Sequence, residues 1–449
     1  MDAQASLPRM RFRVQRLGLF GAFALVNAGV IVYLWLYDGG ISNIHGFGDA
    51  FTSIGRITGL LGAFLLLIQI LLLARIKPLE RLVGFDRLTV WHRVNGKVCL
   101  YLILAHVIFI TLGYAALDRI SVLSEVSTLF NLYPDMIQAT IGTALIVIVA
   151  VSSFVIARRR LKYETWYFVH LTAYLGVLLA WYHQIPTGNE FILNASAGIY
   201  WTLLYLGTLG LIVLFRLALP TFVGFRYQLR VAEVTEESQG VYSLRITGRH
   251  LDRMHARAGQ FFLWRFMTWK LVWQSHPFSL SAAPDGQSLR ITIKSLGDFT
   301  RRIGDLKPGT RVLGVGPFGH FTSAVRRLDR VVLIAGGVGI TPIRALLEEL
   351  SGDIVLVYRV VNESELVFRD ELEALAKVGG FALHYVTGDH RDPATKHFMS
   401  PEHLKTLLPD LASREVYVCG PPAMSNAVQA NVRRAGVPQK QIHTEAFAF

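Results

Sequence analysis

The distribution of apolar residues divides the chain near Pro220. Upstream of this residue, long apolar runs alternate with short polar segments. A run of about 20 apolar residues is long enough to cross the hydrocarbon core of a bilayer as a helix. Six runs reach about this length, so this half of the chain predicts a six-helix transmembrane bundle. The runs are about Leu17–Tyr37, Ile57–Ala74, Val94–Leu117, Met136–Ala157, Thr165–His183 and Ala197–Phe215.

Downstream of Pro220 the runs become short and alternate between apolar and polar residues, which is typical of β-strands. Five of them predict a small antiparallel β-barrel: FRYQLRVAEV, YSLRITG, GQFFLWRF, LRITIKS and RVLGVGPFG. From Arg330 onward, buried strands alternate with helical segments, which predicts a parallel α/β sheet. We therefore expect a multidomain chain with domains at residues 1–222, 223–326 and 327–449.

The charge distribution orients the predicted bundle. The 449-residue chain carries a net charge of +13. In its first half, arginines and lysines are concentrated in the N-terminus and in two alternate loops, whereas the three opposite loops contain only Arg119. Positively charged loops stay in the cytoplasm, so we expect a multi-pass protein of the cell membrane with both termini cytoplasmic. The first run is too long for a signal peptide and lacks a cleavage site. No nucleic-acid-binding motif accompanies the charge, so nucleic acid is not an expected partner.

Four histidines lie in the predicted spans or immediately beside them, where an ionisable side chain is a candidate for function. His92 and His170 lie toward the cytoplasmic ends of the third and fifth spans, and His106 and His183 lie toward their outer ends. The two levels are about 20 Å apart at a rise of about 1.5 Å per residue. Histidine is an axial ligand of heme. The pattern therefore predicts two stacked b-type hemes, each bound by one histidine from each span.

The two histidine spacings do not fit a straight helix equally well. The 14 residues from His92 to His106 come within about 40° of a whole number of turns, but the 13 residues from His170 to His183 leave their side chains about 140° apart. We expect the fifth helix to tighten locally or to end before Pro186.

The histidines have two other interpretations. They could anchor the helices at the membrane edge, or they could bind zinc or copper. Simple anchors would not be expected to occur as two pairs at matching depths. A zinc or copper site would require a carboxylate or thiolate cluster, and none accompanies the histidines in the sequence.

A glycine-rich turn, GGVGITP, follows a buried strand and opens a helix. Gly336, Gly337 and Gly339 would let the backbone approach a pyrophosphate, and the helix N-terminus would favour its negative charge. Thr341 and Pro342 lie in the first turn of that helix, where proline is well tolerated. The turn predicts a dinucleotide-phosphate site, with an ordinary strand–helix connection as the alternative.

Four motifs, in order, resemble the ferredoxin–NADP reductase superfamily in the flavin-binding form found in ferric reductases and NADPH oxidases. They are HPFSLS, IKSLGDFTRRI, VYVCGPPAM and the C-terminal EAFAF, within about Phe225–Phe449. The resemblance implies FAD-binding residues, which are His276, Pro277, Phe278, Ser279, Lys294, Gly297 and Thr300. It also implies residues near the nicotinamide and over the flavin, which are Cys419, Gly420, Pro421 and Phe449. Core packing of the aromatic residues is the alternative.

The first half is similar to the ferric reductase/NADPH oxidase transmembrane domain over about Arg56–Arg216, most specifically in WHRVNG and in the histidine spacings. The resemblance implies six helices, heme histidines on the third and fifth, and a role for Arg56 near the outer heme and the acceptor. A simple membrane-interface position is the alternative for Arg56. Gly176 departs from the family pattern, because some relatives have an aromatic residue there, between the hemes.

The coenzyme preference is indicated by the end of the second strand of the parallel sheet, YRVVNES. Arg359 favours the 2′-phosphate of NADPH, whereas the nearby Glu363 and Glu365 keep NADH open.

The combined pattern predicts a membrane NAD(P)H oxidase that passes electrons through FAD and two hemes to oxygen, forming superoxide. A ferric-chelate reductase with the same cofactors is one alternative, and a membrane electron-transfer subunit or heme-binding module for a partner protein is another. A homo-oligomer is also open. The predicted outer loops contain five acidic residues and one arginine, which disfavours anionic ferric chelates. The acids are Asp38, Asp49, Asp118, Glu125 and Glu190.

Overall fold

A computed structural model describes residues 7–133, 135–154, 160–161, 163–389 and 391–446, without the side chains of 7–20, 81, 85, 86, 163 and 446. The chain forms two compact units, Met1–Leu219 and Pro220–Phe449. Their boundary lies three residues from the one predicted at residue 222, at the point where the hydrophobic pattern changes. Among the basic residues between the predicted fourth and fifth spans, Arg158, Arg159 and Lys162 lie outside the described residues.

All the regular secondary structure described in the first unit is helical. Its helices are α1 Leu7–Tyr37, α2 Phe47–Leu72, α3 Lys77–Val83, α4 Phe85–Asp118, α5 Val122–Leu132, α6 Met136–Ser153, α7 Tyr163–Thr187, α8 Asn189–Ile192 and α9 Ala195–Ile212. A π-helical segment, Val213–Ala218, continues α9 into α10, Leu219–Tyr227.

Each of the six predicted runs is helical over most of its described part, with Leu73, Ala74 and Phe154 just beyond helix ends. By length and composition, four helical segments among the described residues could cross a membrane, namely Phe47–Leu72, Arg87–Asp118, Met136–Ser153 and Ala195–Tyr227. Gly21–Tyr37 is the part of α1 whose side chains are described, and it is shorter than a membrane span. Helix α7 is less apolar because it contains histidines, tyrosines and tryptophans. The membrane region is therefore confirmed, and the count of six stays a prediction.

Two helix pairs provide most of the packing in this unit, α2 against α4 and α6 against α7. Small residues allow helix backbones to approach closely. A Cβ at Gly142 would lie 3.1 Å from the carbonyl oxygen of Gly176, and a Cβ at Gly176 would lie 3.1 Å from that of Gly142. The α6–α7 contact therefore depends on these two glycines.

The second unit begins with two antiparallel sheets. Their strands are β1 Arg230–Ser238, β2 Val241–Thr247, β3 Phe261–Phe266, β4 His276–Ser279, β5 Ser288–Lys294 and β6 Val312–Phe318. One sheet has the order β1-β2-β5 and the other β4-β3-β6. Isolated bridges, Arg230–Arg311 and Leu280–Ile291, connect them around a core that includes Phe262 and Trp264. Closure into a barrel stays a prediction.

One strand boundary was wrong. The run FRYQLRVAEV was expected to be a strand from Phe225, but α10 continues to Tyr227 and β1 begins at Arg230. The helix that continues the last apolar run extends into the segment whose alternation suggested a strand.

The rest of the second unit is a five-stranded sheet with helices. Its strands are β7 Arg330–Gly336, β8 Asp353–Val360, β9 Ala382–Thr387, β10 Glu415–Gly420 and β11 Ile442–Ala446. The helices of the second unit are α11 Asp298–Arg301, α12 Ile340–Glu349, α13 Arg369–Gly379, α14 Pro401–Leu407 and α15 Pro422–Arg434. All strand pairs are parallel, in the order β11-β10-β7-β8-β9, which confirms the predicted α/β architecture.

The strand order reverses between β7 and β10. From β7 the chain proceeds outward to β8 and β9, and it later returns to place β10 and β11 on the opposite side of β7. Ligands of open α/β sheets bind outside the carboxyl ends of the strands at such a reversal. The turns after β7 and β10 are therefore the expected binding edge.

Candidate functional site

The glycine-rich turn lies at this binding edge. Gly337 has φ +52°, in the left-handed region that glycine adopts at low cost. A Cβ at Gly339 would overlap the backbone of Cys419 and Gly420, and a Cβ at Gly420 would lie 3.2 Å from the Gly336 Cα. The glycines thus bring the turns after β7 and β10 together, and a phosphate could approach the backbone closely there.

The residues beside this turn have defined structural positions. Thr341 is buried and donates its hydroxyl to the Val338 carbonyl at 3.0 Å, and Pro342 is buried in the first turn of α12. Cys419 is fully buried, and burial raises the pKa of its thiol well above the usual value. It is therefore a neutral thiol in the wall of the site and not a nucleophile. Pro421 immediately precedes α15.

Arg359 lies at the carboxyl end of β8, next to the strand that carries the glycine turn. Its Nη1 donates to the carbonyl of Phe398 at 3.0 Å. Burial lowers the pKa of Arg359, and the nearby Asp389 opposes that shift. The guanidinium is thus half-buried at the position where the adenosine ribose is held in dinucleotide folds.

The predicted flavin strand is β4, and it pairs with β3. The ring of His276 packs 3.9 Å from that of Phe299, with Phe278 6.4 Å from Phe299. Burial lowers the pKa of His276, which favours the neutral imidazole. Pro277 is half-buried opposite Leu263 of β3. The structure therefore brings these β4 residues together with one aromatic ring that the sequence analysis missed.

Ser279 carries an unsatisfied polar atom. Its side chain is buried, and its Oγ has no hydrogen-bond partner among the described residues. A buried hydroxyl without a partner costs about 1–3 kcal/mol. A polar edge of a bound cofactor would remove this cost, so the residues of β4 fit FAD.

The second flavin motif, IKSLGDFTRRI, forms hydrogen bonds within its own turn. Thr300 Oγ1 accepts from the backbone N–H groups of Leu296 and Gly297, each at 2.9 Å. Lys294, at the end of β5, lies 3.4 Å from the Glu365 carboxylate. Thr300 therefore shapes the Gly297 turn, while contact of these three residues with a flavin phosphate stays a prediction.

At the inner level of the first unit, His92 of α4 faces His170 of α7. Their ring centroids are 6.0 Å apart with 49° between the ring planes. Two metal–nitrogen bonds of about 2 Å, each extended by the radius of an imidazole ring, place two axial imidazoles about 6 Å apart. The pair therefore has the separation that one metal ion between the two rings requires.

At the outer level, His106 of α4 and His183 of α7 lie close enough to interact electrostatically. The His106 ring occupies space left by Gly59, where a Cβ would overlap it. Of the two expectations for the fifth helix, an end before Pro186 is wrong, because α7 remains helical to Thr187, while local tightening stays a prediction. The continuous helix still presents both histidines to α4.

All four histidines bond through Nδ1. His92 Nδ1 lies 3.0 Å from the Gln69 carbonyl oxygen, and His106 Nδ1 lies 2.8 Å from that of Gly55. A carbonyl only accepts, so Nδ1 carries the proton and Nε2 keeps its lone pair. His183 Nδ1 lies 2.5 Å from the Asp135 carboxylate. No described residue bonds to any of the four Nε2 atoms, which leaves them available for iron.

The His170 tautomer follows from its neighbour. Ser153 donates its hydroxyl to the Val149 carbonyl at 2.7 Å and lies 3.2 Å from His170 Nδ1. Because the serine proton is already used, Ser153 accepts from His170 Nδ1–H. The described residues contain no group of three or more histidine, cysteine or acidic side chains that could hold a metal ion, whereas the two histidine pairs fit bis-histidine heme ligation.

Three family models match consecutive segments of the chain. Residues 58–181 match the ferric reductase like transmembrane component, residues 227–308 an FAD-binding domain, and residues 333–430 an oxidoreductase NAD-binding domain. The chain has the ferric reductase/NADPH oxidase-type architecture.

Individual proteins are similar to part of the chain. The ferredoxin reductase component of 3-ketosteroid-9-alpha-monooxygenase from Mycolicibacterium smegmatis is 30% identical over 49% of this chain and 65% of its own length. The glycine betaine monooxygenase reductase subunit of Pseudomonas aeruginosa is 26% identical over 51% of this chain and 66% of its own length. The chain thus spans just under two thirds of these relatives. The crystal structure of the Amycolatopsis cytochrome P450 reductase GcoB aligns with a TM-score of 0.43 at 22% identity over 49% of this chain and 69% of that one.

Arg56 lies two residues before the segment that matches the ferric reductase like model, and the sequence places it just before the second apolar run. It lies in the interior of α2, which begins at Phe47, and it forms a 2.8 Å salt bridge with Glu190. Glu190 and Glu125 are buried, at 3% and 1% exposure, although both were expected on outer loops. The exposed negative charge of the predicted outer loops is therefore smaller than the sequence count indicates.

The structure also accounts for Gly176. This residue faces α6, where a side chain would collide with Gly142 and Ile146. An aromatic side chain cannot occupy that position while α6 and α7 keep this contact.

Sequence reasoning missed the residues that hold the histidines. The carbonyls of Gln69 and Gly55 leave no side-chain signal, since any residue has a carbonyl. Asp135, just before α6, could have been noticed as an acidic residue at the edge of an apolar run. Phe449, the predicted flavin-covering aromatic, lies outside the described residues.

Proposed function

We propose that this protein is a membrane NAD(P)H oxidase that passes electrons from NAD(P)H, through FAD and two bis-histidine b-type hemes, across the membrane to oxygen, forming superoxide. One observation carries the proposal. Two pairs of histidines on α4 and α7 have every Nδ1 bonded and every Nε2 available, in a chain that also contains FAD-binding and NAD-binding domains.

The chain's own residues would bind and orient the reactants. The turns Gly336–Gly339 and Cys419–Pro421 would hold the dinucleotide, with Arg359 at its adenosine end. His276, Phe278 and Ser279 would contact FAD, and Phe449 would limit nicotinamide access. Bound FAD accepts two electrons as a hydride and releases them singly, which suits hemes that carry one electron each. One NADPH and two oxygen molecules thus give NADP⁺, two superoxide ions and one proton.

The proposal includes the architecture predicted from the sequence. The protein would have six spans and both termini in the cytoplasm, and it would lie in the cell membrane. Its FAD barrel would comprise residues 223–326 and its nucleotide domain residues 327–449. The inner site would consist of His92 and His170, and the outer site of His106 and His183.

Oxygen is the proposed acceptor because it is small and neutral and needs little docking surface. Arg56 would stabilise the negative charge that develops as oxygen is reduced, as positioned cations do. Its salt bridge to Glu190 holds it in place and also offsets part of its charge.

A ferric-chelate reductase is the second candidate. The transmembrane segment matches a model described as ferric reductase like. The burial of Glu125 and Glu190 also removes part of the outer negative charge that would repel anionic chelates.

Heme content tests the cofactor assignment. His92→Leu and His170→Leu should each remove the inner heme, and His106→Leu and His183→Leu the outer one. Purified protein should therefore bind two hemes per chain and each variant one, as measured by heme extraction and the reduced optical spectrum. His403→Leu, in the nucleotide domain, is a matched control and should retain both hemes. Full two-heme occupancy in a span variant would contradict that ligand.

The acceptor needs a separate measurement. NADPH oxidation should support dye reduction that superoxide dismutase inhibits, and Arg56→Ala should slow it while both hemes remain bound and reducible. A parallel assay without oxygen measures ferric-chelate reduction. Fast chelate reduction with negligible superoxide would replace the oxidase proposal with the ferric reductase.

A further inference from the structure

The outer histidine His183 differs from the other three in what holds its Nδ1. Asp135 lies just before α6 and is 2% exposed. Its Oδ2 lies 2.5 Å from His183 Nδ1 and also accepts a hydrogen bond from the Thr187 hydroxyl at 2.7 Å. One carboxylate oxygen is thus shared by a histidine and a threonine that lie one helical turn apart on α7.

The remaining histidines have neutral acceptors. His92 and His106 donate to backbone carbonyls, and His170 donates to the hydroxyl of Ser153. The outer site therefore combines one histidine on a carboxylate with one on a carbonyl, whereas the inner site has no carboxylate partner among the described residues.

A carboxylate acts more strongly than a neutral acceptor. Charge-assisted hydrogen bonds are about twice as strong as neutral ones. A carboxylate that accepts from a metal-binding histidine fixes the ring and raises the basicity of its other nitrogen. A more basic axial ligand stabilises oxidised iron over reduced iron, which lowers the reduction potential.

We propose that Asp135 is a positioning residue for the outer site. Its carboxylate holds His183 with Nε2 available. It also gives the outer heme a lower reduction potential than a neutral hydrogen-bond acceptor would. Thr187 moderates this effect, because its hydroxyl shares the same carboxylate oxygen. The inference rests on the proposed two-heme function and adds to it an asymmetry between the two levels.

Spectroelectrochemical titration of the purified, two-heme protein tests this role. Asp135→Asn should shift the outer potential to a more positive value and leave the inner potential unchanged, while Asp135→Glu should restore most of the original value. Thr187→Val should shift the outer potential in the opposite direction, because Oδ2 then no longer accepts the hydrogen bond of the threonine hydroxyl and His183 interacts with more of its negative charge. His183→Leu identifies which potential belongs to the outer heme.

Asp49→Asn is the matched control for loss of a negative charge. Asp49 bonds to the backbone of His45 and not to a heme histidine, so the outer potential should remain near that of the unmodified protein. An equal positive shift in Asp49→Asn and Asp135→Asn would overturn the positioning role.

The outcomes separate the two proposals. A chain that binds no heme overturns the proposed function itself. Two bound hemes with an outer potential that responds to neither Asp135→Asn nor Thr187→Val overturn only the role of Asp135. If Asp135→Asn does not retain the outer heme, Thr187→Val decides: a more negative outer potential supports the proposal, and an unchanged one overturns it.

Discussion

At the scale of single residues, burial and hydrogen bonds change what each candidate can do. The family resemblance assigns Ser279 to the flavin, and the structure adds that its oxygen is buried without a partner among the described residues. The resemblance assigns Cys419 to the nicotinamide side, and its complete burial makes it a neutral residue in the wall of the site. The sequence identified these positions, but the surroundings that set their chemistry come from distant strands.

Arg359→Ala is a residue-scale test of coenzyme preference. A charge-assisted bond to a 2′-phosphate contributes about 1.5–3 kcal/mol, so its loss should raise the KM for NADPH roughly 10- to 100-fold. The KM for NADH should change little, since NADH lacks that phosphate. Steady-state kinetics with both coenzymes measure the difference.

Arg369→Ala is the matched control, because Arg369 is a surface arginine of the same domain paired with Glu373. It should leave both constants unchanged. An equal rise of both constants in Arg359→Ala would assign Arg359 to holding the Phe398 loop and not to the phosphate.

At the scale of elements, local periodicity predicted helices and strands well where one pattern dominates. The apolar runs are helical, and the buried strands form the parallel sheet as expected. The errors lie at boundaries, where two patterns meet. α7 passes through Pro186, and the helix after α9 extends into a segment that alternates like a strand.

Gly176→Leu tests the α6–α7 contact at this scale. The added side chain would collide with the Gly142 carbonyl and with Ile146, and overpacking of this kind costs about 1–3 kcal/mol. The variant should lose thermal stability and heme occupancy, because α7 carries one histidine of each pair. Heme content and the thermal midpoint in detergent report both effects.

Gly207→Leu provides the comparison. Gly207 lies on α9, and no described atom is within 4 Å of its ideal Cβ position. Its substitution should keep full heme occupancy. Equal behaviour of the two variants would show that the α6–α7 approach does not limit heme binding.

At the scale of the molecule, the second unit joins its antiparallel and parallel sheets through a charged cluster. Glu371 of α13 pairs with Arg290 of β5 at 3.0 Å and also with the buried Arg344 of α12. Both arginines donate to the Ser281 carbonyl, at 2.8 Å and 3.2 Å. Strand β5 is therefore connected to two helices of the nucleotide domain by groups that are costly to separate.

Glu371→Ala should destabilise the second unit. It leaves Arg290 and Arg344 near each other with less opposing charge, at a cost of about 2–4 kcal/mol given that Glu371 is partly exposed. Thermal release of FAD, followed by flavin fluorescence, should occur several degrees lower than in the unmodified protein. Glu373→Ala removes a surface carboxylate two residues away and should not change the release temperature. If the two variants release FAD together, the cluster does not connect the domains.

The sequence by itself determined the features that depend on neighbouring residues. Run length, alternation, glycine turns and histidine spacing are local, and they predicted a membrane region, an antiparallel sheet region, a parallel α/β region and the heme and nucleotide candidates. Only the tertiary structure decided how those candidates are held. Asp135 and His183 are 48 residues apart, Arg56 and Glu190 are 134 apart, and Arg290 and Glu371 are 81 apart. Such contacts are set by helix and sheet packing over long sequence separations, and no local pattern records which polar group meets another across them.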